Sequence, residues 1–312
     1  MIYQVESLEK VFRTRHSQQT AVDHVSFEIS QPGIYCLLGP NGAGKTTTLK
    51  LMLKILKPTS GMIRYNGVNI QNQDSSYLKD IGAVLEGNRN LYWNLTAYEN
   101  VEYQGRLRGM RDRDIRRRAL ELFEKMGLSE NIDKKVGYMS RGMQQKVAIT
   151  AALIHSPKVL FLDEPTLGLD FVSKDSMISE VESMAQEGCT ILLTTHQIDV
   201  VERLANNLII FEKGKLTFNG HTEKLVEAYR GNDSVCICVP ASEKAKAYVS
   251  TSGLDNVTTE TGASLITMRT KSVDVNRVLS GLLTANIPVI SISQDELPLE
   301  EVLKKFWGEH LD

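Results

Sequence analysis

The sequence predicts an α/β protein in two parts, residues 1–230 and 231–312, and three observations carry that prediction. A glycine-rich loop stands between an apolar, strand-like run and a helical run. A second apolar strand ends in two consecutive acids. The segment behind residue 230 has its own rhythm, reading βαββαβ and then a final helix.

The loop is Gly39-Pro40-Asn41-Gly42-Ala43-Gly44-Lys45-Thr46, followed by Thr47, a complete match to G-x-x-x-x-G-K-[ST]. Glycines let successive backbone N–H groups point into one concavity, the geometry that cradles phosphates. Lys45 adds a cation for the β- and γ-phosphates of a nucleotide, and the Thr46 hydroxyl is a hard oxygen donor for Mg²⁺. Gly33 to Leu38 is the strand before the loop, and Thr47 to Leu56 is a helical pattern after it. Phosphates would therefore lie at a helix N-terminus, where free N–H groups and the macrodipole favour anions.

Val159 to Asp163 is the second apolar strand, with Glu164 next. A buried strand delivers Asp163 to the carboxyl edge of a sheet, where doubly wound folds bind ligands. Asp163 can hold Mg²⁺ opposite Thr46, and Glu164 can polarise a water against the γ-phosphate.

Further landmarks follow the same order along the chain. Tyr138-Met139-Ser140-Arg141-Gly142-Met143-Gln144-Gln145 resembles the Leu-Ser-Gly-Gly-Gln signature of ABC transporters, Leu167 to Asp170 resembles their D-loop, and His196 ends an apolar strand where the family carries its switch histidine. Residues 1–230 thus resemble the nucleotide-binding subunit of an ABC transporter: a P-loop ABC ATPase core with a helical signature subdomain at about residues 87–150. The resemblance implies an ATPase that binds each ATP between the loop of one copy and the signature of another. Ser140 and the Gly142 backbone would then contact the γ-phosphate across a dimer, with Asp170 linking the halves. One loop and one signature occur in this chain, so a second ATP-binding subunit is expected, a homodimer being the simpler case. Glu164 is expected to activate water, His196 to orient it, and Lys45 to stabilise charge on the phosphates. Thr46, Asp163 and Glu86 are the expected Mg²⁺ set, and Phe12 the expected adenine-stacking aromatic, with Tyr3 as the substitute.

Two positions depart from the family pattern. Glu86 stands where a glutamine is usual, and Arg141 replaces the first glycine of the signature. Glu86 is expected to keep the metal contact; Arg141 is expected to point away or pair with an acid. In the family the helical subdomain grips a membrane permease, and Tyr92 and Trp93 are the candidate contacts for such an integral membrane partner. Ala97 to Leu107 reads as a helix. Between Arg106 and Arg118 seven arginines face two aspartates, expected as a solvated helical face, with anionic lipid as the functional alternative.

Composition narrows the classes. A net charge of −2 gives no global basic field, so no nucleic-acid partner is expected. No apolar run has the length of a membrane span, and the N-terminus lacks a secretory pattern, so the expectation is a cytoplasmic protein held at the inner membrane face by its permease. Cys36 and Cys189 read as small buried residues; Cys236 and Cys238 alternate on a strand with no second pair.

Leu208 to Phe218 reads as two strands turning at Lys213-Gly214, Thr222 to Tyr229 as a connecting helix, and Arg230 to Asp233 as the boundary. Behind it the order βαββαβ, with two strands around Thr261-Gly262, is that of a ferredoxin-like α+β unit. It holds no catalytic set, so regulation or dimer contact is expected of it. The functional expectation is an ATP-hydrolysing subunit, with ATP and Mg²⁺, that energises a separate permease for export of a drug, lipid, peptide or polysaccharide. The alternative is a soluble ABC-type ATPase acting on ribosomes or another cytoplasmic complex.

Overall fold

Two burial rhythms separate the sheets of the core. The structure is a computed structural model that describes the chain except residues 15–16, 73–74, 87–90, 230–233, 252–257, 262–263, 272–273, 295–297 and 311–312. It divides into two units, Met1–Glu223 and Lys224–Asp312. The boundary expected at Arg230 to Asp233 lies outside the described residues.

In the first unit, strands β1 (Tyr3–Arg13) and β2 (Gln18–Ile29) bury one face, Tyr3, Val5 and Leu8 of β1 and Val22, Val25, Phe27 and Ile29 of β2, the alternation stepping by one residue at Ser7 and His24, both at positive φ. They form an antiparallel sheet with β4 (Ser60–Tyr65) and β5 (Val68–Asn69), in the order β2-β1-β4-β5. By contrast β3 (Ile34–Leu38), β7 (Val159–Asp163) and β8 (Thr190–Thr195) are buried at every position. Such uninterrupted runs belong to a parallel sheet covered on both faces. With β6 (Ile81–Val84), β9 (Asn207–Glu212) and β10 (Lys215–His221) they give the order β10-β9-β3-β8-β7-β6, parallel except at β10. The β9–β10 hairpin turns on Lys213 and Gly214, both at positive φ. Tyr3, Phe27, Leu37, Leu49 and Phe161 share one core cluster that ties the two sheets to helix α1 (Lys45–Met52). Helix α1 stops four residues before the helical pattern does, because Lys54 takes a left-handed conformation at φ 59°.

The helical part is α2 (Ala97–Leu107), α3 (Asp112–Lys125) and α4 (Arg141–Leu153). Helix α2 opens on a reciprocal capping box, Thr96 Oγ1 accepting from Glu99 N (3.1 Å) and Glu99 Oε2 accepting from Thr96 N (2.7 Å). Buried Asn100 pins the preceding loop: its Oδ1 accepts from Tyr92 N at 2.7 Å, and its Nδ2 donates to Tyr92 O at 3.0 Å. The arginine-rich run is not one helical face. Gly109, at φ 75°, breaks it between α2 and α3, and much of its charge is locally paired: Arg106 with Glu102 and Asp112, Arg111 with Asp114, Arg118 with Glu121. Helices α5 (Phe171–Gln186) and α6 (Ile198–Leu204) complete the core, and α7 (Thr222–Tyr229) leads out of it.

The second unit contains β11 (Ser234–Pro240), α8 (Glu243–Thr251), β12 (Thr258–Thr261), β13 (Leu265–Lys271), α9 (Val275–Thr284), β14 (Ser291–Gln294) and α10 (Leu299–His310). Its antiparallel sheet runs β12-β13-β11-β14, with the two later strands of the chain order flanking β11, the split arrangement of ferredoxin-like units. Ile237, Val239, Ile266 and Met268 pack under Ala245, Val278 and Leu282 of the helices. Gly262 of the expected turn lies outside the described residues.

Candidate functional site

The carboxyl end of β3 opens into the glycine-rich loop, and two of its glycines are fixed by sterics. A Cβ on Gly39 would stand 2.3 Å from Phe211 O, and one on Gly44, at φ 105°, 2.5 Å from Ala21 O. Both obstacles are backbone of neighbouring strands, so neither can give way. Gly44 then caps α1. Lys45 is buried, its Nζ donating to Gly39 O (2.6 Å) and Pro40 O (3.1 Å). Burial lowers its pKa, while the carboxylates of Glu164, Asp163 and Glu86 act the other way.

Thr46 Oγ1 donates to Asp163 Oδ1 at 2.8 Å, across from α1 to the end of β7. Asp163 is 2% exposed; the same oxygen accepts from Thr194 Oγ1 at 2.6 Å, and Oδ2 from Glu86 N at 3.5 Å. Immediately after the strand Glu164 turns to φ 50°, held there by N–H bonds to Thr194 Oγ1 (3.0 Å) and Thr194 O (3.2 Å). Two adjacent acids thus point to different tasks. Glu164 Oε1 accepts from His196 Nδ1 at 2.8 Å, and since a carboxylate only accepts, the imidazole carries its proton on Nδ1. Glu164 Oε2 is buried with no partner among the described residues.

A cavity of about 520 Å³ gathers these groups: Phe12, Asn41, Gly42, Ala43, Gly44, Lys45, Thr46, Thr47, Glu86, Glu164 and His196 line it, with Gln19, Ala21 and Leu167. Phe12 is 39% exposed, with Lys10 Nζ 5.2 Å from its ring centre; Tyr3 is fully buried in the core and takes no part. Gly39, Pro40 and Asp163 do not line the cavity: the first two hold Lys45 through their carbonyls, and Asp163 holds Thr46. Thr46 and Asp163 are hard oxygen donors within reach of one another, a donor set that fits Mg²⁺.

Ser140, Gly142 and Asp170 lie elsewhere, outside this cavity. Ser140 caps α4, its Oγ accepting from Met143 N at 3.3 Å. Asp170 caps α5, accepting from Ser173 N and Ser173 Oγ, both at 2.9 Å, and those donors hold its carboxyl below the usual range. The two helix N-termini are in contact: a Cβ on Gly142 would come 2.8 Å from Ser173 Oγ. Arg141 pairs with no acid among the described residues; its Nη1 would be 2.8 Å from a Cβ on Gly168. It lines a second cavity, of about 510 Å³, whose wall also holds Glu86, Asp163, Glu164 and Trp93. Tyr92 and Trp93 are about half exposed, the Tyr92 ring standing edge-on to Tyr103.

Sequence reasoning did not single out Thr194, which bonds both acids. Its signal was present: it precedes His196 by two residues, the spacing that places side chains on one strand face.

The sequence pattern of the family described as ABC transporter matches residues 22–167. The ABC transporter ATP-binding protein NatA of Bacillus subtilis is 35% identical over 71% of this chain and 90% of its own. The Nod factor export ATP-binding protein I of Ralstonia nicotianae is 35% identical over 75% of this chain and 71% of its own. Among solved structures, a dimeric ATP-binding cassette in a post-hydrolysis state, bound to ADP and Pi, is 26% identical with a TM-score of 0.64, covering 70% of this chain and 98% of that one. Among the described residues no helix is long and apolar enough to cross a membrane. The fold, the loop and the comparisons agree: the chain belongs to the ABC transporter family, as one of its ATP-binding, ATP-hydrolysing subunits.

Proposed function

We propose that two copies of this chain close around two ATP molecules and drive an integral membrane permease encoded as a separate chain. The observation that carries this is the division of the site. Lys45, Thr46, Glu164 and His196 meet in one cavity, while Ser140 and Gly142 present a helix N-terminus outside it. A helix N-terminus is an anion site, and a second copy would place it on the γ-phosphate. Phe12 stacks on adenine, the Gly39 to Thr47 segment wraps the phosphates, and Asp170 joins the halves. Thr46 and Asp163, with Glu86 in support, would hold Mg²⁺, which would supply positive charge against the phosphates. Glu164 takes a proton from water as the water oxygen bonds to the γ-phosphorus and the bond to ADP breaks. His196, fixed on Glu164 Oε1 through Nδ1, orients that water and, once a second proton sits on Nε2, donates from Nε2 to the γ-phosphate. Hydrolysis removes the contact that favours the closed pair, and the copies separate.

Export is the proposed direction, on the likeness to the Nod factor export subunit, with a drug, lipid, peptide or polysaccharide as cargo chosen by the permease. The subunit then sits in the cytoplasm against the inner membrane face. The 224–312 unit is assigned to regulation or dimer contact. Gentle solubilisation of native membranes and capture of the tagged chain tests the reading. A stoichiometric multi-span membrane protein is expected; recovery with ribosomes or other soluble complexes alone would refute it.

A further inference from the structure

Two residues depart from the family pattern, and they carry opposite charges. Glu86 adds a carboxylate to a cavity whose ATP-facing wall already holds Glu164, with Asp163 behind it and Lys45 as its lysine. Nucleotide phosphates bring more negative charge to the same place, so Glu86 alone opposes ATP binding. Arg141 is costly in the opposite sense. It occupies the first turn of α4, the positive end of a helix, where a cation is disfavoured. Neither side chain makes a hydrogen bond or a direct salt bridge among the described residues: Glu86 bonds only through its backbone N–H while its carboxylate acts on Lys45 from a distance, and Arg141 rests on the D-loop backbone at Gly168. Both are exposed, and both line the cavity of about 510 Å³ beside Glu164.

We propose that Glu86 of one copy and Arg141 of the other form a charge-compensating pair in each closed ATP site. The inference rests on the two-copy reading above. That reading brings the N-terminus of α4 from one copy onto the phosphates held by the other, and so brings Arg141 to the loop that carries Glu86. The guanidinium cancels the charge that Glu86 adds, and in place of a helix end alone, which disfavours it, it gains an anion that it complements. The two departures are then one feature, and neither makes sense alone.

The test is a double-mutant cycle on ATP-driven dimer formation, with every chain also carrying Glu164→Gln so that ATP is retained, read by sedimentation velocity with ATP and Mg²⁺. Arg141→Gln should weaken the dimer by at least about tenfold where Glu86 is present, and by less than about threefold alongside Glu86→Gln. A labelled Arg141→Gln chain mixed with Glu86→Gln chain should dimerise to within about threefold of the parent, because that pairing leaves no site with an uncompensated Glu86. Melting temperatures establish that the variants are folded. An Arg141→Gln penalty that is the same in both backgrounds overturns the pairing. A mixed dimer midway between the two homodimers overturns its placement across copies. If the Glu164→Gln parent stays monomeric with ATP, the two-copy reading itself falls, and that outcome is recognisable before any variant is compared.

Discussion

Replacing Glu164 with glutamine separates its structural role from its chemical one. The backbone bonds of residue 164 to Thr194, at 3.0 and 3.2 Å, do not involve the side chain. The amide oxygen of glutamine can still accept from His196 Nδ1, now 2.8 Å from Oε1. The fold should therefore change by no more than about 0.5 kcal/mol, the range of substitutions that break no buried network. Chemistry should suffer far more. Oε2 is buried and has no partner among the described residues, so a carboxylate there has an oxygen free to take a proton from water, which an amide cannot do. Loss of a general base costs on the order of 10²–10⁴ in rate, or about 2.7–5.4 kcal/mol in barrier. Phosphate release measures the rate, and size exclusion with ATP should show a trapped dimer. A folded variant that hydrolyses ATP within about tenfold of the parent would refute the assignment of Glu164.

Further outcomes follow from contacts. Gly44→Ala must fit a Cβ 2.5 Å from Ala21 O at φ 105°; it should lose about 1–3 kcal/mol in urea unfolding and bind ATP poorly in a fluorescence titration. Asn100→Ala leaves Tyr92 N and Tyr92 O without their partner and should cost about 2–3 kcal/mol, with faster hydrogen exchange over residues 91–100 than in the parent. Thr96→Ala removes half of the α2 capping box and should cost about 1 kcal/mol in thermal unfolding. Burial pushes the Cys189 thiol up to about 11, so only about one molecule in a thousand carries its thiolate at pH 8. Iodoacetamide labelling, followed by mass spectrometry, should be roughly a hundredfold slower there than in urea.

How much of this was legible in the sequence depends on the range of the interaction. The parallel strands were readable because burial on both faces writes an unbroken apolar run, as in Val159 to Leu162. Helix α2 begins and ends where it was expected, and the β9–β10 turn falls on Lys213-Gly214, since local residues dictate both. Helix α1 was overestimated because Leu53 and Leu56 continue the periodicity after the backbone has left it at Lys54. The arginine run misled for a related reason: composition suggested one face, while a single glycine at 109 turned it into a loop between two helices. The long reach of contacts hid the rest. That Arg141 would settle on Gly168, 27 residues on, or that Thr194 would bond Asp163 from the next strand, depends on tertiary placement that no local pattern encodes.

The left-handed backbone at residue 164 has an evolutionary consequence. A glutamate at φ 50° is held against its own conformational preference, at about 1 kcal/mol or more, whereas glycine or asparagine adopts that conformation readily. Replacement of this acid by glycine or asparagine therefore makes the chain more durable as it makes it inert. Inactive descendants that still bind nucleotide are a downhill step from this fold. The glutamate persists only while turnover itself is under selection.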